Sequence, residues 1–453
     1  MSAVVRRSLF DARRLYRRKL RGLGLLETRM DVERFSSTHP ESGVEVTPML
    51  KHLVSKIKAT GPISTAEYMR EVLTNPAKGY YIHHDMLGER GDFITSPEIS
   101  QIFGELVAVW CVSEWVAAGK PPSLRLVELG PGRGSLASDV LRVVEQLRQV
   151  LDKTEVALHL VEVSSTLSEV QEQVLIGKTQ EQQASLDSHA QAESSTYKQR
   201  VTRSGIPVCW HRNLQDVPEG FTFFVAHEFF DALPIHTFKK TERGWREVMV
   251  DIDPELPFGL RFVMAPTPSL ASSALVQAGE VREHVEVCAE AAVLVANLAE
   301  RVAAHGGGAL IADYGHEGTG TDTFRGFRGH KPHHVLCAPG LADLTADVDF
   351  AYLRRATEGH GVTCLGPIAQ RDFLQNMGID LRLKILLRNA GDAETRRRLL
   401  AGYEMLMSPE KMGTRFKFFS LVPSARLSPG PTREPTKSPA PPPVPGFSEL
   451  VMK

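Results

Sequence analysis

The hydrophobic positions change their period part-way along the chain. Over 48–58 and again over 65–73, apolar residues recur at helical spacing, and Asn75-Pro76 closes the second run. Residues 79–92 are rich in Gly, Tyr and His and read as loop. Thr95 and Glu98 have the spacing of a capping box, with Pro97 in the first helical turn. The helix this predicts places Ile99, Phe103, Leu106 and Trp110 on one face.

Beyond Leu124, short β-branched runs alternate with helical stretches, which predicts an α/β fold with a parallel sheet and crossover helices. Strands are expected at 125–129, 157–163, 207–211, 221–226 and 309–313. The run 245–252 reads as part of a β excursion after the fourth of these, and 416–422 as a closing strand. Residues 177–200 are polar and read as a surface insertion. From Leu427 onward prolines dominate, so 427–453 is expected to be extended or disordered rather than packed.

Composition narrows the class. Of 453 residues, 42% are hydrophobic and 24% charged, which fits a globular enzyme. No run approaches the ~18 apolar residues of a membrane span. None of the five cysteines forms a CxxC pair, so neither a zinc knuckle nor a disulfide framework is expected, and a reducing compartment fits best. The net charge of −1 hides an asymmetry. Residues 1–34 carry ten Lys or Arg against four Asp or Glu, while the rest carries 43 against 50. An acidic body argues against general nucleic-acid binding.

That basic N-terminus interleaves Arg6, Arg7, Arg13, Arg14, Arg17, Arg18, Lys19 and Arg21 with Leu9, Phe10, Leu15, Tyr16, Leu20 and Leu23. The pattern makes a basic amphipathic helix and matches a mitochondrial presequence over 1–35, with Asp11 as its one blemish. Arg34-Phe35-Ser36-Ser37 resembles a matrix-processing site. The alternative is a basic tail that addresses nothing.

Glu128-Leu129-Gly130-Pro131-Gly132-Arg133-Gly134 is the strongest local signal. It follows an apolar strand and precedes a helix, so the glycines let the chain turn sharply and let a ligand approach the main chain. A dinucleotide fingerprint, GxGxxG, wants glycine where Ser135 stands, which argues against an NAD oxidoreductase. The pattern ExGxGxG is that of S-adenosylmethionine enzymes, with Glu128 meeting the amino-acid part of the ligand or ordering the loop. Glu162 ends the second strand, where a carboxylate can accept from both ribose hydroxyls. A tight turn without a ligand is the alternative.

The second constellation is Ala226-His227-Glu228-Phe229-Phe230-Asp231-Ala232-Leu233-Pro234. Two carboxylates stand three residues apart at the end of an apolar strand, where chemistry sits in open α/β sheets. If the segment turns helical, Glu228 and Asp231 share a face. A guanidinium has five donors and no acceptor, so carboxylates must orient it before it can take a methyl group. Glu228 and Asp231 suit that catalytic task; a helix cap and an ordinary ion pair are the alternative. His227 and His236 read as structural. His330, His333 and His334 cluster without a Cys or carboxylate at useful spacing, so no metal site is expected. Asp313-Tyr314-Gly315 is placed on the pocket floor.

Taken together, Gly91-Asp92-Phe93-Ile94-Thr95-Ser96-Pro97-Glu98-Ile99-Ser100, the glycine loop, and Glu228 to Pro234 resemble the MidA-like methyltransferases. Asp343 to Phe350 and Asn376-Met377-Gly378-Ile379 fit the same family, and the likeness runs from about 48 to 422. The resemblance implies a class I S-adenosylmethionine-dependent fold, with a Rossmann-like, mostly parallel sheet over 124–426. A helical or lid region would span 36–123. It implies Gly130, Gly132 and Gly134 as the cofactor loop and Glu162 as the ribose acid; Asp92, Phe93, Thr95 and Glu98 lie in a family motif that reads either as a lid over the cofactor or as a helix-capping loop that only packs. It further implies a protein arginine methyltransferase of the mitochondrial matrix. The implied partner is a core subunit of the complex I peripheral arm, and the product symmetric dimethylarginine. A non-catalytic assembly factor, or methylation of a small molecule or another residue, are the competing readings.

Overall fold

A computed structural model describes residues 45–83, 94–177, 196–256, 258–428 and 443–448. The presequence reading at 1–35, and Asp92 and Phe93, therefore lie outside the described residues, as do 178–195 of the polar insertion.

The first helices form where caps and apolar stripes predict them. Helix α1 (Pro48–Thr60) starts on Thr47, whose Oγ1 accepts from the Leu50 amide at 2.9 Å, and α2 (Thr65–Thr74) starts on Ser64. Ile63–Ser64 between them is a short strand, β1. One turn of helix, α3 (Tyr80–His83), forms in the segment read as loop. The capping box is present: the Thr95 amide donates to Glu98 Oε2 at 3.0 Å and opens α4 (Ser96–Ile99). The single helix expected after it is two. Ser100 is extended (φ −157°, ψ 125°) and serves as the N-cap of α5 (Gln101–Ala117), so the chain stops and restarts.

From there strands and helices alternate as expected: β2 (Ser123–Leu129), α6 (Ser135–Gln146), β3 (Glu155–Val161) and α7 (Ser165–Leu175). The end of the polar insertion is a strand rather than loop, β4 (Lys198–Val201), which pairs antiparallel with β5 (Pro207–His211). β6 (Thr222–His227) follows. The chain then leaves the main sheet for β7 (His236–Thr241), β8 (Gly244–Asp253), β9 (Gly259–Met264) and β10 (His284–Val287). It returns through α8 (Ala289–His305) to β11 (Gly307–His316). A small antiparallel set, β12 (Arg325–Arg328), β13 (Lys331–His333) and β14 (Asp343–Thr345), precedes β15 (Val348–Asp349). β16 (Val362–Ala369) and β17 (Phe416–Pro423) close the main sheet.

The main sheet runs β16-β17-β11-β6-β2-β3-β5-β4. β11, β6, β2, β3 and β5 are mutually parallel; β4, β16 and β17 are antiparallel to their neighbours. The chain builds outward from β2 to β3 and β5, then crosses back to β6 and β11. The strand order thus reverses between β2 and β6, which opens a crevice at their carboxyl ends. Both faces are covered: Leu124, Leu126 and Phe223 pack under α5 and α6, and Val127, Leu129 and Phe224 under α8. The β excursion forms its own antiparallel sheet, and β1 joins it with Ile63 opposite Val250. That joins the N-terminal helices to the rim of the crevice through one cluster containing Leu53, Tyr68, Val250 and Leu344.

The proline-rich tail departs from the extended reading at 443–448. Val444 is buried, Phe447 lies edge-on to Phe373 with ring centroids 5.6 Å apart, and Asn376 Nδ2 donates to the Gly446 carbonyl at 3.0 Å. The buried Val444 and the partly buried Phe447 dock the segment by covering apolar surface against Phe373.

Candidate functional site

The glycine loop and the acidic turn both emerge at the reversal point, one from β2 and the other from β6. Gly130, Gly132 and Gly134 all hold positive φ, at 63°, 52° and 83°, a region other residues enter at a cost. The Gly130 amide donates to the Val161 carbonyl at 3.1 Å, and Gly134 starts α6 with no side-chain cap, which leaves the helix N-terminus suited to a ligand carboxylate. Glu128 is buried beneath the loop. Burial pushes its carboxyl up to about 8, opposed by a hydrogen bond from the Ala137 amide. Of its two expected roles the contact seen is the ordering one, since Ala137 lies in the first turn of α6.

Glu162 directly follows the last residue of β3, so the acid stands at the strand's carboxyl end. Its Oε1 accepts from the Ser164 amide at 2.7 Å and its Oε2 from Gln171 Nε2 at 3.0 Å. Burial pushes its carboxyl up to about 7, against those hydrogen bonds. The short helix α3 closes over this end, with its Ile82 carbonyl accepting from Thr166 Oγ1 at 3.2 Å. Flexed glycines, an uncapped helix start and a buried strand-end carboxylate fit the amino-acid and ribose parts of S-adenosylmethionine.

The acidic turn is not helical, contrary to the conditional expectation for Glu228 and Asp231. Its shape comes from Asp313 on β11, whose Oδ2 accepts the amides of Phe229, Phe230 and Asp231 at 3.2, 3.0 and 3.2 Å. Three convergent amides on one carboxylate bend the chain after β6, and Glu228 takes a left-handed φ of 48°. Asp313 is fully buried, and burial together with Asp231 and Glu228 holds its carboxyl well above the usual range.

The two acids differ. Asp231 accepts a hydrogen bond from the Tyr314 hydroxyl and feels the charge of Arg325. Burial pushes it up to about 6, opposed by that hydrogen bond and reinforced by Glu228. Glu228 Oε1 is buried without a hydrogen-bond partner, 3.1 Å from His227 Nε2. Glu228 is thus the acid with open accepting capacity. Glu98, at the capping box, is close enough to be repelled by Glu228, and it stands 4.0 Å from Arg133 Nε of the glycine loop.

Several site residues escaped the sequence reading. Gln171 ties the two halves of the cofactor end together, yet in sequence it is one polar residue on an amphipathic helix. Tyr314 was placed on the floor without a role. Arg325 stacks over the Tyr314 ring at 4.9 Å and ion-pairs with Asp347 at 2.5 Å, and Tyr81 donates to Asp343 at 2.6 Å. Their only signal was their type: aromatic and arginine side chains in loops beside the acids. His236 pairs with Glu247 at 2.7 Å, a structural contact. Among the described residues no group of three or more His, Cys, Asp or Glu could hold a metal ion, and no helix is long and apolar enough to cross a membrane.

Comparison with known proteins adds to this geometry. The model of a family described as S-adenosyl-L-methionine-dependent methyltransferases matches residues 106–368. The chain is similar to the mitochondrial protein arginine methyltransferase NDUFAF7 of Rattus norvegicus, at 59% identity over 92% of this chain and 94% of the rat protein. The Homo sapiens protein of the same name is 57% identical over 92% and 93%. A crystal structure of a methyl transferase-like protein from Burkholderia thailandensis, bound to S-adenosylhomocysteine, superposes with a TM-score of 0.67 at 26% identity. It covers 84% of this chain and 96% of that one.

Proposed function

Because the chain belongs to the MidA-like family of S-adenosyl-L-methionine-dependent methyltransferases, we propose that it is a mitochondrial protein arginine methyltransferase. The observation that carries this reading is the acidic turn at the strand reversal, where a buried Glu228 oxygen has no hydrogen-bond partner and stands 3.1 Å from His227 Nε2. The mitochondrial NDUFAF7 relatives, which carry the name of arginine methyltransferases, support it.

When bound, S-adenosylmethionine supplies a methyl group on a sulfonium. Gly130, Gly132 and Gly134 would hold it with Glu162, while Glu128 keeps the loop in shape. Glu228 orients the substrate guanidinium and accepts the proton that methylation releases. Asp231, held by Tyr314, adds the second negative charge that draws the cation in and fixes its plane. Asp313 fixes the turn that carries both acids by accepting the Phe229, Phe230 and Asp231 amides. Residues 1–35 act as the presequence that delivers the chain to the matrix. The acceptor is an arginine on a core subunit of the complex I peripheral arm, and the product is symmetric dimethylarginine; this finer reading rests on the family resemblance.

The test is transfer of labelled methyl from S-adenosylmethionine into mitochondrial proteins, followed by mass spectrometry of the labelled band. Symmetric dimethylarginine on a peripheral-arm subunit is expected. Label confined to a small molecule or to another residue type would replace the substrate assignment. Tight cofactor binding without transfer to any fraction would favour a non-catalytic assembly role.

A further inference from the structure

Gln171 is fully buried on α7 and every polar atom of its amide is used. Nε2 donates to the Gly132 carbonyl at 2.7 Å and to Glu162 Oε2 at 3.0 Å. Oε1 accepts from the indole Nε1 of Trp210 at 2.9 Å, and Trp210 is itself fully buried on β5. An indole N–H is only ever a donor, so it fixes which end of the amide faces which way. With Oε1 committed to Trp210, both protons of Nε2 point to the glycine loop and to the strand-end acid. The backbone of α7 also backs the loop: a Cβ on Gly134 would meet Gln171 Cα at 3.5 Å.

The consequence concerns Glu162. An ionised carboxylate accepts at about four lone-pair positions. The Ser164 amide binds Oε1, Gln171 binds Oε2 and the Val163 amide adds a further bond, which together set the plane and rotation of the group. The accepting capacity that remains is what a ribose hydroxyl can use. The same Nε2 holds the Gly132 carbonyl, so the loop and the acid cannot move independently.

We propose that Gln171 is a positioning residue that aligns the Glu162 carboxylate with the glycine loop, so that the site recognises the ribose diol of its cofactor. This rests on the reading of Glu162 as the ribose acid. A buried amide that merely satisfied Trp210 would hold the fold without favouring one ligand over another. An aligning amide makes a difference only to ligands that carry the hydroxyls.

The experiment is calorimetric titration of S-adenosylhomocysteine, and of its 2′,3′-dideoxy analogue, into the full chain and its variants. Wild type is expected to prefer S-adenosylhomocysteine by tenfold or more. In Gln171→Leu that preference should collapse: affinity for S-adenosylhomocysteine falls roughly 10- to 100-fold, as loss of a hydrogen bond to a charged group implies, and affinity for the dideoxy analogue falls less than threefold. Trp210→Phe keeps the ring and removes only the anchor, and should show the same selective loss at smaller size; it decides the matter if Gln171→Leu does not fold. Equal losses for both ligands, or a preference unchanged in these variants, would overturn the proposal while leaving Glu162 in its role. No preference in wild type would overturn the ribose reading and the proposal with it.

Discussion

Phe229 fills the space that a side chain on Gly130 would need: a Cβ there would stand 2.6 Å from Phe229 Cδ2. This contact locks the cofactor loop after β2 to the acidic turn after β6. The glycine at 130 therefore serves two needs at once, a φ of 63° and close approach to an aromatic ring. Gly130→Ala should displace the Phe229 ring and strain the loop, at about 1–3 kcal/mol. The expected outcome is a tenfold or greater loss of S-adenosylhomocysteine affinity by calorimetry. Adding Phe229→Leu should restore part of it. Affinity unaffected by Gly130→Ala would mean the contact has no bearing on the cofactor.

The roles of Glu228 and Asp231 separate from cofactor binding. Both stand on the turn after β6, whereas the glycine loop follows β2 and Glu162 follows β3. Glu228→Gln combined with Asp231→Asn keeps the shape of both side chains and removes their charge. S-adenosylhomocysteine affinity should stay within about threefold, while methyl transfer falls by 100-fold or more, as expected when charge-assisted contacts to a guanidinium are lost. Ordinary turnover by the double variant would sink the assignment.

The two halves of the site were unequally legible in the sequence. The glycine loop and Glu162 could be read because their information is local: an apolar strand, glycines where φ must be positive, and an acid at the next strand end. The strand at 207–211 and the closing strand could be read because they are nearly continuous apolar runs. The shape of the acidic turn could not, because the group that bends it is a carboxylate 82 to 84 residues downstream. The stop at Ser100 was hidden for a related reason. Apolar periodicity runs on through it, and only the extended backbone of one residue divides the two helices. Gln171 lies further out of reach, since its partners sit 39 and 9 residues away on three different elements.

The activity should also carry a pH signature from Asp231. Burial pushes its carboxyl up to about 6, so it carries its negative charge above that pH and loses it below. Guanidinium capture needs the charged form. We expect kcat/KM to fall as pH drops through about 6. In Asp231→Asn the whole profile should be lower and that limb absent. A limb that persists unchanged in the variant would assign it to another group.

Stability should depend on pH through Glu128 with the opposite sense to a paired carboxylate. Its folded carboxyl sits at about 8, above the ordinary 4.5, because burial disfavours the charge. The folded chain therefore holds a proton that the unfolded chain gives up. The linked contribution is complete below about pH 4.5 and is lost as pH rises toward 8, so the buried acid weakens the ligand-free protein in alkaline solution. Glu128→Gln keeps an acceptor for the Ala137 amide and has no charge to bury. It should stabilise the ligand-free protein by about 1–3 kcal/mol near pH 8 and by little near pH 5, read as a pH-dependent gap between the two melting temperatures. A gap of the same size at both pH values would show that shape, not charge, sets the cost at this position. A gap of the opposite sign at pH 8 would show that the fold favours the charged form of Glu128 rather than penalising it.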